Sequence, residues 1–129
     1  MNRKAKGTGA ERELVHLFWM NSWAAVRIAG SGSMRHPSPD ILASNNKRRI
    51  AIECKTNKGE YQYLTKEEIS ALKGFCALFG AEPWIGVKFR TEWYFISMED
   101  MKETSKNFAI SRELAQQKGL TFSELLGDA

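Results

Sequence analysis

The sequence contains little cysteine, histidine or proline, and it has no long apolar run. Its two cysteines, Cys54 and Cys76, have no Cys-x-x-Cys spacing, which argues against a disulfide framework or a zinc site of the usual type. No apolar segment approaches the roughly 20 residues that a membrane-spanning helix needs. The start Met1-Asn2-Arg3-Lys4 leads into Gly and Thr rather than into the apolar core of a signal peptide. We therefore expect a cytoplasmic protein with no membrane contact.

What is present is an ordinary globular composition with a small basic excess. Of 129 residues, 43% are hydrophobic and 26% are charged, and 19 Lys plus Arg against 15 Asp plus Glu give a net charge of +4. This length predicts one domain over residues 1–129 that folds without disulfides or a structural metal. The excess charge favours a polyanionic partner without identifying one. With only two histidines, any metal would be a hard cation bound by carboxylates.

Hydrophobic periodicity predicts an α/β fold. A capping box at Thr8-Gly9-Ala10-Glu11 opens a first helix that continues to about Asn21. A second capping box, Thr65-Lys66-Glu67-Glu68, opens a helix that ends at Gly80. The buried stripe of this second helix is predicted to contain Ile69, Leu72, Cys76 and Phe79.

Five β-rich runs complete the predicted core. They cover residues 23–28, 40–43, 49–55, 84–89 and 93–96. A long flexible loop is expected after the first run, up to Pro39, and a turn at Asn45-Asn46-Lys47 makes a hairpin of the next two. The remainder, residues 98–129, is interpreted as a polar tail packed on the core, with one short helix from Thr121 to Leu126. The prediction is a mixed sheet of about five strands flanked by α-helices.

The hairpin carries the residues that could take part in catalysis. Side chains alternate along a strand, so Glu53 and Lys55 project together from one face. The hairpin also brings Asp40 close to Glu53. Two carboxylates can bind Mg²⁺ through oxygen ligands, and Lys55 beside them can hold an attacking water. These three groups are the smallest set that metal-assisted phosphodiester hydrolysis requires. The alternative is a plain salt bridge between Glu53 and Lys55 on an exposed sheet face.

One pattern resembles the PD-(D/E)xK nuclease signature: it consists of Pro39-Asp40, then twelve residues, then Glu53-Cys54-Lys55. A wider set of segments resembles the archaeal-type Holliday-junction resolvases over residues 3–97, whereas the tail matches nothing. These segments are Lys6-Gly7, residues 10–15, residues 26–31, Asp40-Ile41, residues 52–55 and Val87-Lys88-Phe89. The resemblance implies a restriction-endonuclease-like core and a homodimer that nicks four-way DNA junctions with Mg²⁺, for which Mn²⁺ is a possible substitute.

The resemblance also assigns roles to single residues. It implies that Glu11 is a catalytic Glu of the first helix, that Asp40 and Glu53 are metal ligands, and that Lys55 is the catalytic Lys, with Glu11 close enough to the metal to act as a ligand. A competing role for Glu11 is that of the third residue in its capping box. The predicted DNA-binding residues lie in the N-terminal arm, the first helix and the loop: Arg3, Lys4, Lys6, Arg12, Arg27, Ser31, Ser33 and Arg35.

A second basic group surrounds the hairpin and is expected to flank the scissile phosphate; it consists of Lys47, Arg48, Arg49, Lys55 and Lys58. Apolar surface on the second helix suggests a partner, and the resemblance implies that Phe75 and Phe79 contact a second subunit or unstacked bases, with ordinary core packing as the alternative. A replication or recombination partner is possible through the surface or the tail. Three other functions remain open: a nuclease for mismatches, flaps or duplex, a catalytically silent DNA-binding module, and an interaction domain whose acids form only salt bridges.

Overall fold

The computed structural model describes residues 3–31 and 35–127, with side chains from Gly7 onward. The predictions for Ser33 and for the side chains of Arg3, Lys4 and Lys6 therefore lie outside the described residues. The elements in chain order are α1 (Arg3–Met20), β1 (Ala24–Arg27), β2 (Ile41–Ser44), β3 (Arg49–Asn57), β4 (Tyr61–Thr65), α2 (Lys66–Phe79), β5 (Glu82–Phe89), β6 (Glu92–Ile96), β7 (Lys102–Glu103), β8 (Asn107–Ser111), α3 (Arg112–Lys118) and α4 (Phe122–Leu126).

The main sheet has five strands in the order β1-β2-β3-β5-β6. Strands β3 and β5 pair in parallel, and the other neighbours pair antiparallel, with Ile41 opposite Ile52 in the β2–β3 hairpin. The parallel pair needs a crossover connection, which α2 provides. The predicted mixed five-stranded sheet with flanking helices is therefore confirmed.

The two faces of β3 serve two separate cores. Ile50 and Ile52 pack with Leu14 and Phe18 of α1, whereas Ala51 faces the core that α2 covers. All five side chains are buried. The predicted alternation along β3 is confirmed, and it places Glu53 and Lys55 on the α2 side of the sheet.

Helix α1 begins earlier than the sequence predicted. It already includes Arg3, so Thr8 lies inside the helix and the predicted capping box at Thr8 does not form. The preceding Arg-Lys-Ala-Lys segment consists of residues with high helix propensity, which extends the helix toward the N-terminus. Glu11 is thereby freed from a capping role.

Helix α2 begins where predicted. Thr65 and Glu68 form a complete capping box, and Gly80 closes the helix with φ 82°. The predicted burial of Phe79 is wrong, because its side chain is 50% exposed. Phe79 lies in the last turn, where its ring stacks on Phe75 at 5.1 Å between centroids instead of entering the core.

The segment after Met98 is more structured than the predicted polar tail with one helix. Its β8 pairs with β4, and β7 pairs with β8, to make a second, three-stranded sheet. Ile110 of β8 and Leu125 of α4 are both buried. The short helix α4 is confirmed, with a capping box at Thr121. No helix within residues 3–31 and 35–127 is long and apolar enough to cross a membrane.

Arg48 connects this last segment to the hairpin. Its guanidinium donates two hydrogen bonds of 2.8 Å to the carboxylate of Glu82 and one of 2.8 Å to the carbonyl of Leu125. It also lies over the Trp23 ring, 5.6 Å from the centroid. The structure does not support the prediction that Arg48 flanks the scissile phosphate, because its guanidinium contacts are internal and it lies at the turn, the opposite end of the hairpin from Asp40.

Candidate active site

The antiparallel register places Asp40 just ahead of β2, beside the middle of β3. The Asp40 backbone N–H donates to the carbonyl of Ile52 at 3.1 Å, and the Asp40 carbonyl accepts from Ile28 N–H at 2.8 Å. The side chain is 8% exposed and accepts a hydrogen bond from the backbone N–H of Cys54 at 2.8 Å. The hydroxyl of Ser31 donates to its other oxygen. Asp40 is therefore fixed by β3 and by the loop that follows β1, through Ile28 and Ser31.

Glu53 lies on β3 next to Asp40 and is partly buried. Burial, followed by the negative charge of Asp40, raises the pKa of Glu53 to about 8. Among the described residues it has no hydrogen-bond donor. The positive charge of Lys55 lowers the pKa of Glu53, but it does not outweigh burial and the charge of Asp40.

Glu11 approaches the two hairpin acids from α1. Burial and the charge of Asp40 raise the pKa of Glu11, although Arg27 of β1 opposes that shift through an ion pair of 3.3 Å. Three carboxylates, from a helix, a loop end and a strand, thus act on each other electrostatically. The structure brings together the three acids that the sequence predicted as metal ligands.

Lys55 lies two residues beyond Glu53 on the same face of β3, but it does not pair with Glu53. Its ammonium group contacts the Glu68 carboxylate of α2 at 2.5 Å. Burial would lower the pKa of Lys55, but the hydrogen bond and charge of Glu68 outweigh it, so the pKa is raised. The alternative of a plain Glu53–Lys55 salt bridge does not describe this site.

Glu68 is the residue that sequence reasoning missed here. Its only signal in the sequence is its place in the α2 capping box, which already accounts for an acidic residue at that position. The contact with Lys55 depends on how α2 packs against β3. That information is tertiary and is absent from local sequence patterns.

The remaining predicted residues fall into three groups. Arg27 and Ser31 contact the site acids Glu11 and Asp40 directly. Arg12 and Arg35 are exposed, which leaves them accessible to a polyanion. Phe75 and Phe79 are on α2, outside the acid cluster, with Phe75 packed against the core and Phe79 half exposed.

The chemistry of this donor set fits a hard divalent cation. Carboxylate oxygens are the ligands that Mg²⁺ prefers, and the charge of Asp40, which raises the pKa of Glu53, is what a bound cation would offset. Within residues 3–31 and 35–127, no group of three His, Cys, Asp or Glu side chains has the geometry of a preformed metal site. The oxygens of Asp40 are directed instead to Ser31 and to the Cys54 amide.

Comparison with known proteins covers almost the whole chain. A family model described as archaeal Holliday junction resolvase matches residues 2–129. The crossover junction endodeoxyribonuclease Hjc of Archaeoglobus fulgidus is 38% identical, with 97% of this chain and 98% of that protein aligned. The enzyme of the same name from Methanocaldococcus jannaschii is 31% identical, with 95% of this chain and 87% of that protein aligned.

A solved structure of Archaeoglobus fulgidus Hjc, a Holliday junction resolvase, has the same fold. The two structures superpose with a TM-score of 0.85 at 37% identity, covering 92% of this chain and 98% of that one. The match includes the segment after residue 98, which the sequence motifs left without a counterpart. The resemblance that those motifs indicated is confirmed: this chain belongs to the archaeal Holliday junction resolvase family.

Proposed function

We propose that the chain is a Mg²⁺-dependent endodeoxyribonuclease that resolves four-way DNA junctions as a homodimer. It leaves nicks with 5′-phosphate and 3′-hydroxyl ends. The observation that carries the proposal is the convergence of Glu11, Asp40 and Glu53 beside Lys55, in a chain that belongs to a resolvase family. The names of the relatives as crossover junction endodeoxyribonucleases support the substrate.

Asp40 and Glu53, with the carbonyl of Cys54 and with Glu11 nearby, are the residues that would hold Mg²⁺ or, as a substitute, Mn²⁺. A cation held by these residues would lower the pKa of a bound water and offset negative charge at the phosphate. The chain contributes the placement of these ligands. The amide of Cys54 and the hydroxyl of Ser31 restrict the rotation of the Asp40 side chain before any ligand arrives.

Lys55 and Glu11 have distinct proposed roles around the scissile phosphate. The Lys55 ammonium holds the attacking water and adds positive charge near the phosphate. Glu11 positions water or metal, and Arg27 orients Glu11 through their ion pair. The backbone of the DNA is held by exposed Arg12 and Arg35 together with basic residues of the N-terminal arm.

A homodimer is part of the proposal because the described residues of one chain form one acid cluster around Asp40, while resolution requires two opposed cuts. The proposed contact surface is the exposed end of α2. There Leu78 is 93% exposed, and Phe79, stacked on Phe75, is 50% exposed. Exposed apolar side chains that adjoin one another mark a surface for a partner or for unstacked bases. A cytoplasmic location and a replication or recombination partner belong to the same proposal.

The test compares cleavage with binding. Asp40→Asn and Glu53→Gln variants are expected to bind a labelled four-way junction and to lose Mg²⁺-dependent cleavage, because each removes a ligand charge while keeping side-chain shape. Glu99→Gln, which alters an exposed carboxylate, is the matched control and is expected to cleave like the wild type. Mobile and fixed junctions are assayed beside linear duplex. Full cleavage by either site variant, or equal cleavage of linear duplex, would contradict the proposal.

A further inference from the structure

Glu68 makes two unrelated contacts with its two carboxylate oxygens. Oε1 accepts a hydrogen bond of 2.9 Å from the backbone N–H of Thr65, which closes the capping box of α2. Oε2 contacts the ammonium group of Lys55 at 2.5 Å. A single side chain therefore joins the first turn of a helix to the lysine of the active site.

The helix end that holds Glu68 is itself fixed in place. Thr65 Oγ1 accepts the Glu68 N–H at 3.0 Å, so the cap is reciprocal. Ile69, the next residue, and Leu72, one turn further along, are buried in the core on the β3 side of α2. Because Glu68 is pinned at both its backbone and one oxygen, its other oxygen has little freedom to follow the lysine. The lysine instead takes the position that the helix defines.

Two acids compete for Lys55. Glu53 lies on the same face of β3 two residues away, and its charge acts on Lys55, yet the hydrogen bond goes to Glu68. A lysine that instead paired with Glu53 would occupy oxygens that are needed for a cation. It would also withdraw the ammonium group from the water it is to hold.

Resting on the proposed function, we propose that Glu68 is a positioning residue for the reaction: it holds Lys55 from the cap of α2 and keeps it away from Glu53. The arrangement separates three tasks. Asp40 and Glu53 remain available to the cation, Lys55 remains beside them as a positive charge, and Glu68 contacts neither the cation nor the phosphate. The same carboxylate ties the lysine to the helix that bears Phe75 and Phe79.

Glu68→Gln and Thr65→Ala form a matched pair of variants for the test. Gln is the other residue type that completes a capping box, so Glu68→Gln is expected to retain the thermal midpoint of unfolding. Its one oxygen cannot serve both the cap and Lys55, and it carries no charge. Thr65→Ala removes the capping hydroxyl but leaves the Lys55–Glu68 pair, so it is expected to lower the midpoint and to retain the chemistry.

Cleavage is measured in single turnover with saturating enzyme, and junction affinity is measured separately without added metal. For Glu68→Gln we expect a cleavage rate roughly 10- to 100-fold lower, as for the loss of other supporting contacts, with unchanged junction affinity. Thr65→Ala is expected to cleave at the wild-type rate. Wild-type cleavage by Glu68→Gln would overturn the proposal, as would equal losses of rate in both variants, which would reduce Glu68 to a helix cap.

A second readout does not depend on activity. The side-chain nitrogen resonance of Lys55 in metal-free protein, assigned with a Lys55→Arg variant, is expected to shift in Glu68→Gln and to stay in place in Thr65→Ala. An unmoved resonance in Glu68→Gln would overturn the proposal. If the wild type did not cleave junctions at all, the proposed function would fail, and this resonance would still decide whether Glu68 holds Lys55.

Discussion

Replacing Arg48 with alanine separates the structural use of a basic residue from its use in DNA binding. Arg48 lies in a basic stretch that the sequence assigned to the scissile phosphate, whereas the structure directs its guanidinium to Glu82, Leu125 and Trp23. If Arg48 serves only those internal contacts, the variant has a lower unfolding midpoint and an unchanged salt dependence of junction affinity. If Arg48 contacts phosphate instead, the midpoint is unchanged and the salt dependence is reduced.

The expected loss of stability follows from the three contacts. The ion pair with Glu82 is partly exposed, at 32% and 40% of the two side chains, so it contributes about 0.2–1 kcal/mol. The charged hydrogen bond to the Leu125 carbonyl contributes about 1.5 kcal/mol or more, and the Trp23 contact about 0.5–1 kcal/mol. One guanidinium makes all three, and such terms are not additive. We expect a total of about 2–3 kcal/mol, or roughly 8–12 °C in the unfolding midpoint.

The assay has a stability arm and a salt arm. Thermal unfolding of Arg48→Ala is followed by circular dichroism, with Arg48→Lys expected to be intermediate because it keeps the charge and loses the fork geometry. Junction affinity is then measured over a series of salt concentrations. Arg12→Ala, which changes an exposed residue predicted to bind DNA, is expected to reduce the slope of log affinity against log salt by about 0.9. Arg48→Ala is expected to leave that slope unchanged.

A reduced slope for Arg48→Ala with an unchanged unfolding midpoint would refute the reasoning. It would mean that the guanidinium leaves Glu82 and Leu125 to bind phosphate. A loss in both arms would also count against it, once affinity is compared at a temperature where the variant is fully folded.

Three further predictions concern other parts of the fold. Gly119→Ala places a methyl group 2.4 Å from the carbonyl oxygen of Ala115, so we expect about 1–3 kcal/mol of destabilisation in urea unfolding. Phe79→Ser, at a half-exposed position, is expected to keep the unfolding midpoint and to shift the chain toward monomer in sedimentation. Arg48 holds the pKa of Glu82 below its ordinary value of 4.5. The stability advantage of wild type over Glu82→Gln is therefore expected to be complete above that pH and to be lost as the pH falls below it, through the lowered pKa of the folded state. Urea unfolding at neutral pH and in acid measures this difference.

Local patterns in the sequence were sufficient for much of the main sheet. The turn chemistry at Asn45-Asn46-Lys47 and the alternation along β3 predicted the hairpin and its buried face, and the Thr65 cap predicted the start of α2. These features depend on neighbours in the chain. The start of α1 was misplaced because a Thr-x-x-Glu spacing also occurs inside a helix whose flanking residues extend it.

The segment after residue 98 shows the limit of local reading. Strand β8 is only five residues long, and it becomes a strand by pairing with β4, more than 40 positions earlier in the chain. Neither partner has a strong signal alone, since short strands gain most of their stability from their neighbours. The sequence analysis therefore predicted neither β4 nor β8, and so it did not predict the second sheet.

For the active site, the sequence by itself determined which acids and which lysine are available, and the hairpin register determined that Asp40 and Glu53 are neighbours. Only the tertiary structure decided how the charges pair. Lys55 forms an ion pair with Glu68, Arg27 with Glu11 and Arg48 with Glu82. In none of these pairs are the two residues close in the chain. Charge pairing depends on distance and burial in the folded state, and these arise only when separate elements pack together.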